Sequence, residues 1–127
     1  MIEFAYADYA WQQAAAILNM DSPSGFTGKV VAYLKEQFEA LGFPAHITAK
    51  GGLLADLGGT EEDDGLMLAA HADTLGGMVA EIKGNGRLRL TALGGMKADN
   101  GETENVRVYT RDGSIYEGTL QLCNASV

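Results

Sequence analysis

At 127 residues with 46% hydrophobic side chains, the chain is long enough for one ordinary domain with a real core and too apolar for intrinsic disorder. Nine Lys and Arg against 17 Asp and Glu leave a formal charge of −8, which argues against nucleic-acid or anionic-membrane surfaces, where cations must displace counterions. No apolar segment approaches the roughly 20 residues of a membrane span, and Met1 to Leu18 lacks the basic start and continuous apolar centre of a secretory signal, so a cytoplasmic protein is expected.

In chain order, Phe4, Ala7, Trp11, Ala14, Ala15 and Leu18 recur at helical spacing and predict a first helix with one core-facing stripe. The segment Asn19 to Gly25, with Asp21, Ser22, Pro23 and Ser24, has loop composition. A second helix is predicted from an N-cap at Thr27, with Val30, Val31, Leu34, Phe38 and Leu41 as its buried stripe and Gly42 just past its end. Ala45 to Lys50 alternates as a strand with His46 facing solvent, Gly51-Gly52 turns, and Leu53 to Leu57 returns as a second strand. The acidic loop Glu61-Glu62-Asp63-Asp64 reads as a solvated charge run, because nothing in it is apolar enough to bury or shift a carboxylate.

Leu66-Met67-Leu68-Ala69-Ala70 is an unbroken apolar run between turn-formers, the pattern of a strand buried on both faces. His71 and Asp73 follow at its carboxyl end, where α/β proteins usually place ligands and catalytic groups. In a metal site one imidazole nitrogen binds the ion while the other donates to a carboxylate, and a residue two positions on can supply that carboxylate. The same spacing also suits a structural histidine beside a solvated Asp. Downstream, Met78, Ala80 and Ile82 oppose Val79, Glu81 and Lys83, and Gly84-Asn85-Gly86 turns the chain into Leu88 and Leu90, giving a β-hairpin. A boundary is expected at Gly94 to Gly101, then a strand through Val106, Val108 and Thr110, a turn at Asp112-Gly113 and a partner strand from Ser114 to Cys123. Cys123, the only cysteine, has no internal partner and is expected to be a small buried apolar residue, and the sequon Asn124-Ala125-Ser126 is empty without secretion.

Leu68-Ala69-Ala70-His71-Ala72-Asp73-Thr74-Leu75-Gly76, the hairpin Gly77 to Leu90, and Leu93-Gly94-Gly95 together resemble the glutamyl and deblocking aminopeptidases, dinuclear metallopeptidases that assemble as tetrahedral particles. The resemblance extends back through Pro23-Ser24-Gly25-Phe26-Thr27 and forward through Glu104-Asn105-Val106-Arg107-Val108-Tyr109, so it covers essentially the whole chain. It implies that His71 is a zinc or cobalt ligand and Asp73 its orienting carboxylate in the catalytic site. One departure is Thr74, where many relatives carry Glu, which bears on substrate preference more than on metal binding.

It also implies an α/β fold: residues 1–94 as the amino-terminal part of a three-layer α/β/α catalytic domain with a mixed sheet, and residues 95–127 as the first strands of an inserted small β-barrel. In such enzymes the bridging aspartate, the general-base glutamate and the further ligands all lie well downstream of this position. The expectation is therefore an amino-terminal fragment, inactive alone, of a cytoplasmic, homo-oligomeric aminopeptidase that acts on peptides with two divalent ions. A carboxypeptidase- or deacylase-like metallohydrolase and a non-catalytic acidic binding module are the alternatives.

Overall fold

A computed structural model describes residues 2–61 and 63–122, and among them are two α-helices, three β-hairpins and a short 3₁₀ turn. The side chain of Phe4, the residue Glu62, Cys123 and the Asn124-Ala125-Ser126 sequon lie outside the described residues. The architecture is α/β, divided into two units, Met1–Thr74 and Leu75–Val127.

In the first unit, α1 spans Ile2–Leu18 and α2 spans Gly28–Ala40. The α2 stripe is as predicted at its start, where Val30 is fully buried and Val31 nearly so, but Leu34 and Phe38 are half-buried and Leu41, past the helix end, is exposed; the helix lies against the hairpin of β1 (Ala45–Ile47) and β2 (Leu53–Ala55). Thr27 holds the N-cap position, but its hydroxyl makes no cap bond; only its carbonyl is used, accepting the Val31 N–H at 3.0 Å. At the other end Gly42 has φ +87°, its N–H donates to the Glu39 carbonyl and the Phe43 N–H to the Phe38 carbonyl, both at 3.0 Å. This is a Schellman close, which the missing Cβ of glycine permits. Gly42→Ala is expected to destabilise the fold by about 1 kcal/mol, because an L side chain is strained in that conformation; the midpoint of urea unfolding measures it.

The α1 stripe differs from expectation, since Trp11 and Leu18 are 76% and 77% exposed. Tyr9, Gln13 and Ile17, one step around the helix, face α2 instead and line a groove with Leu34, Gln37 and Phe38. The contact is partly polar: the Gln13 amide donates to Gln37 at 3.1 Å and the Tyr33 hydroxyl to Gln13 at 2.9 Å. Such bonds hold a helix pair without consuming its broader apolar surface, so periodicity alone did not identify the packed face.

β1 and β2 pair antiparallel through His46 opposite Leu54, and His46 is exposed as expected. The run Leu66 to Ala70, however, is not a buried strand. It has no strand partner among the described residues, and Leu66, Met67 and Leu68 are 87%, 79% and 78% exposed. A doubly buried strand needs a neighbour on each edge and a layer on each face; here β1 and β2 pair only with each other. All three sheets are antiparallel pairs rather than one mixed sheet, and the parallel pairing is the isolated bridge of Pro23 with Thr74. An exposed apolar run outside any sheet can template association. Leu68→Lys is expected to lower self-association of the chain several-fold, as read by light scattering across a concentration series.

The second unit holds β3 (Gly76–Ile82), β4 (Leu88–Leu93), a 3₁₀ turn (Ala98–Gly101), β5 (Asn105–Tyr109) and β6 (Ile115–Thr119). Both hairpins were legible from their turn residues, although β6 is shorter than the predicted Ser114 to Cys123 strand. A bulge between Val79 and Glu81 changes the faces of β3. Val79 opposes Leu90 and Ile82 opposes Leu88, while Glu81 opposes Arg89 and pairs with it at 2.7 Å. Strict alternation, which set Ile82 against Val79, therefore fails at Ala80. In the β5–β6 turn, the Asp112 carboxylate accepts the Thr110 hydroxyl and the Ser114 N–H, in that order of weight, and both hold its pKa below the ordinary value.

Candidate functional site

The loop between α1 and α2 begins the site. Pro23-Ser24-Gly25-Phe26 forms a tight turn in which the Phe26 N–H donates to the Pro23 carbonyl at 2.7 Å and Gly25 takes φ +85°. A glycine at the third position of such a turn takes the positive φ at no steric cost. The turn presents Ser22 and Ser24 on either side of Pro23, against the segment Ala72 to Thr74.

Ser22 is almost completely buried, at 1% exposure, and both its polar ends are used. Its hydroxyl donates to the Ala72 carbonyl at 3.1 Å, and its carbonyl accepts the Thr74 N–H at 2.8 Å. The main chain is thus held immediately before and immediately after Asp73. Ser24 then reaches the side chain itself: its hydroxyl donates to Asp73 Oδ2 at 2.5 Å. That bond is the leading cause of a lowered Asp73 pKa, ahead of the residue's own backbone and of the nearby His71.

His71 and Asp73, singled out by their spacing, are brought together. His71 Nδ1 lies 3.1 Å from the Asp73 carbonyl oxygen and 3.3 Å from Asp73 Oδ1. A carbonyl can only accept, so this bond requires the proton on Nδ1. In the neutral ring the lone pair then sits on Nε2, and the side chain is 86% exposed. The donor set fits one ligand of a metal site: an imidazole oriented from behind with its other nitrogen open. It does not amount to a whole site, since no group of three or more His, Cys, Asp or Glu side chains that could hold an ion occurs among the described residues. Glu61, Asp63 and Asp64 are exposed, as expected of a solvated run.

Ser22 was not identified as a site residue from the sequence, and Ser24 entered only as part of a motif. Their partners lie 50 and 49 positions away, a pairing that no local pattern carries.

A family model described as M42 glutamyl aminopeptidase matches residues 51–126. The chain is 36% identical over 111 residues to "Putative aminopeptidase YhfE" of Bacillus subtilis (strain 168), covering 87% of this chain and 32% of that protein. It is 31% identical over 104 residues to "Glutamyl aminopeptidase" of Lactococcus lactis subsp. cremoris (strain MG1363), covering 81% and 29% respectively. The chain thus spans about a third of the length of the curated relatives it matches.

Proposed function

Because the chain belongs to the M42 glutamyl aminopeptidase family, we propose that it supplies the amino-terminal part of a metal-dependent aminopeptidase that removes N-terminal residues from peptides. In this reading His71 is a zinc or cobalt ligand, and Asp73 is the carboxylate that orients it. The observation that carries it is the arrangement around one imidazole: Nδ1 held by Asp73, Nε2 open to solvent. Residues 1–94 contribute to the three-layer catalytic domain, and residues 95–127 open the inserted β-barrel. The parent is cytoplasmic and homo-oligomeric; among the described residues no helix is long and apolar enough to cross a membrane.

A pair of divalent ions, when bound, supplies Lewis acidity at the peptide carbonyl and acidifies water toward a pKa of about 7. The chain's own residues do the preparatory work. Asp73 holds the His71 ring by Nδ1 and so leaves Nε2 as the nitrogen that would meet an ion. A hydrolytic site needs about three protein ligands with a position left open, and among the described residues the site brings together only His71 and Asp73. By itself it therefore binds zinc or cobalt weakly and does not turn over substrate.

The test compares the isolated chain with the full-length protein for cobalt binding and for release of p-nitroaniline from aminoacyl p-nitroanilides. The full-length protein is expected to cleave substrates with a free amino terminus, and the chain to show only background. Robust turnover by the isolated chain would overturn the partial-site reading. Cleavage by the parent restricted to N-acyl or C-terminal substrates would replace the aminopeptidase with a deacylase or carboxypeptidase.

A further inference from the structure

An aspartate carboxyl that is 38% exposed has little to stop it turning about its terminal bond, which is broad and roughly two-fold. Were Asp73 free to do so, its oxygens would exchange places and water would compete for the His71 N–H. Yet Oδ2 is taken by the Ser24 hydroxyl at 2.5 Å, and Oδ1 remains 3.3 Å from His71 Nδ1. The geometry points to Ser24 as a positioning residue, which holds the Asp73 carboxylate by one oxygen so that the other stays on the Nδ1 side of His71.

Three features make this more than a surface contact. Ser24 is the second residue of a turn closed by the Phe26 to Pro23 hydrogen bond, so its own backbone is fixed. That turn is joined to the Asp73 segment by the Pro23–Thr74 bridge and by both polar ends of buried Ser22. Main chain and side chain of Asp73 are thus anchored to the same loop, and both the carbonyl and the carboxylate near Nδ1 keep their places together. The Ser24 hydroxyl bonds the carboxylate, not the imidazole. It acts through Asp73, at one remove from the open nitrogen.

The inference rests on the proposed role of His71, but it concerns the opposite edge of the ring and can be measured apart from it. Imidazole ¹⁵N shifts in the full chain report which nitrogen carries the proton, with His46→Gln assigning the signals of the two histidines. Cobalt binding is read separately, from the concentration that half-broadens the His71 ring signals. Ser24→Ala and Ser24→Val are expected to lower the Nδ1–H population and to weaken cobalt binding about tenfold, the lower end of what loss of an orienting partner does. Ser24→Thr, isosteric with Val but keeping the hydroxyl, is expected to stay near wild type in both. Unchanged tautomer populations in both hydroxyl-free variants would overturn the proposal, as would loss of folded signals in both while Ser24→Thr folds, since Ser24 would then serve the fold. Tautomer populations that shift in the hydroxyl-free variants, together with wild-type His71 signals that ignore cobalt, would sustain the positioning role and defeat the ligand role.

Discussion

His71→Ala in the full-length protein is expected to lower divalent-metal occupancy and to reduce peptidase activity beyond what any change at Asp73 does. It removes the imidazole whose Nε2 is open among the described residues, whereas Asp73→Asn leaves that imidazole in place. Asparagine has one carbonyl oxygen for the two places that Oδ1 and Oδ2 hold, so it can accept from Nδ1–H or from the Ser24 hydroxyl but not from both as the carboxylate does, and it carries no negative charge. The expected loss for Asp73→Asn is about 10- to 100-fold in metal affinity or activity, with more metal retained than in His71→Ala. Metal content and p-nitroanilide hydrolysis on matched preparations decide between the two. If His71→Ala leaves occupancy and rate untouched, the imidazole is a structural group and the Nδ1 contacts serve only to tie down the loop.

Val30→Asp is expected to unfold the first unit. Val30 is fully buried and, with Val31, forms the buried hydrophobic core among the described residues. A carboxylate there must either remain charged without a partner or take up a proton, and either way it costs several kcal/mol. Stabilities of whole domains are only about 5–15 kcal/mol, and a small unit has less to lose. Val30→Ala, which removes two methyl groups, should cost about 2 kcal/mol and leave a folded protein. Trp11→Asp on the open side of α1 should change stability by less than about 0.5 kcal/mol despite being the more drastic exchange on paper. Far-UV circular dichroism through thermal melts separates the three; a folded Val30→Asp with an unchanged melting temperature would place the core elsewhere.

The contrast between these valines and Trp11 shows what was legible in the sequence. The second helix could be read because Val30 and Val31 fall on one stripe and Gly42 stops it, and both signals act within a turn or two of the chain. The hairpins could be read because Gly84-Asn85-Gly86 and Asp112-Gly113 reverse the chain locally. The fate of Leu66 to Ala70 could not, because an apolar run states only that a segment can be buried. Whether it is depends on neighbouring strands, and none pairs with it among the described residues. On α1 the apolar surface is wider than one stripe, and hydrogen bonds from Gln13 and Tyr33 chose the packed face. Ala80 escaped alternation because a bulge belongs to a pair of strands rather than to either one. The His71–Asp73 contact was legible because it is two residues long; the serines that fix it were not, because their partners lie far along the chain.

That distance also bears on how the chain folds in time. Bringing Ser24 to Asp73 closes a loop of 49 residues, an entropic charge of about 3.4 kcal/mol beyond a constant term, whereas α2 and the hairpins close over a few residues each. Segments joined by short loops form first, and long-range contacts wait until enough structure is in place to reward them. The orientation of His71 is therefore expected to be a late event, and pulsed hydrogen exchange during refolding should protect the Thr74 N–H, which is bonded to Ser22, after the α2 amides. Until that clasp closes, the imidazole is an ordinary surface histidine, so metal present during synthesis has no oriented nitrogen to find and the order of events runs from fold to ligand rather than from metal to fold.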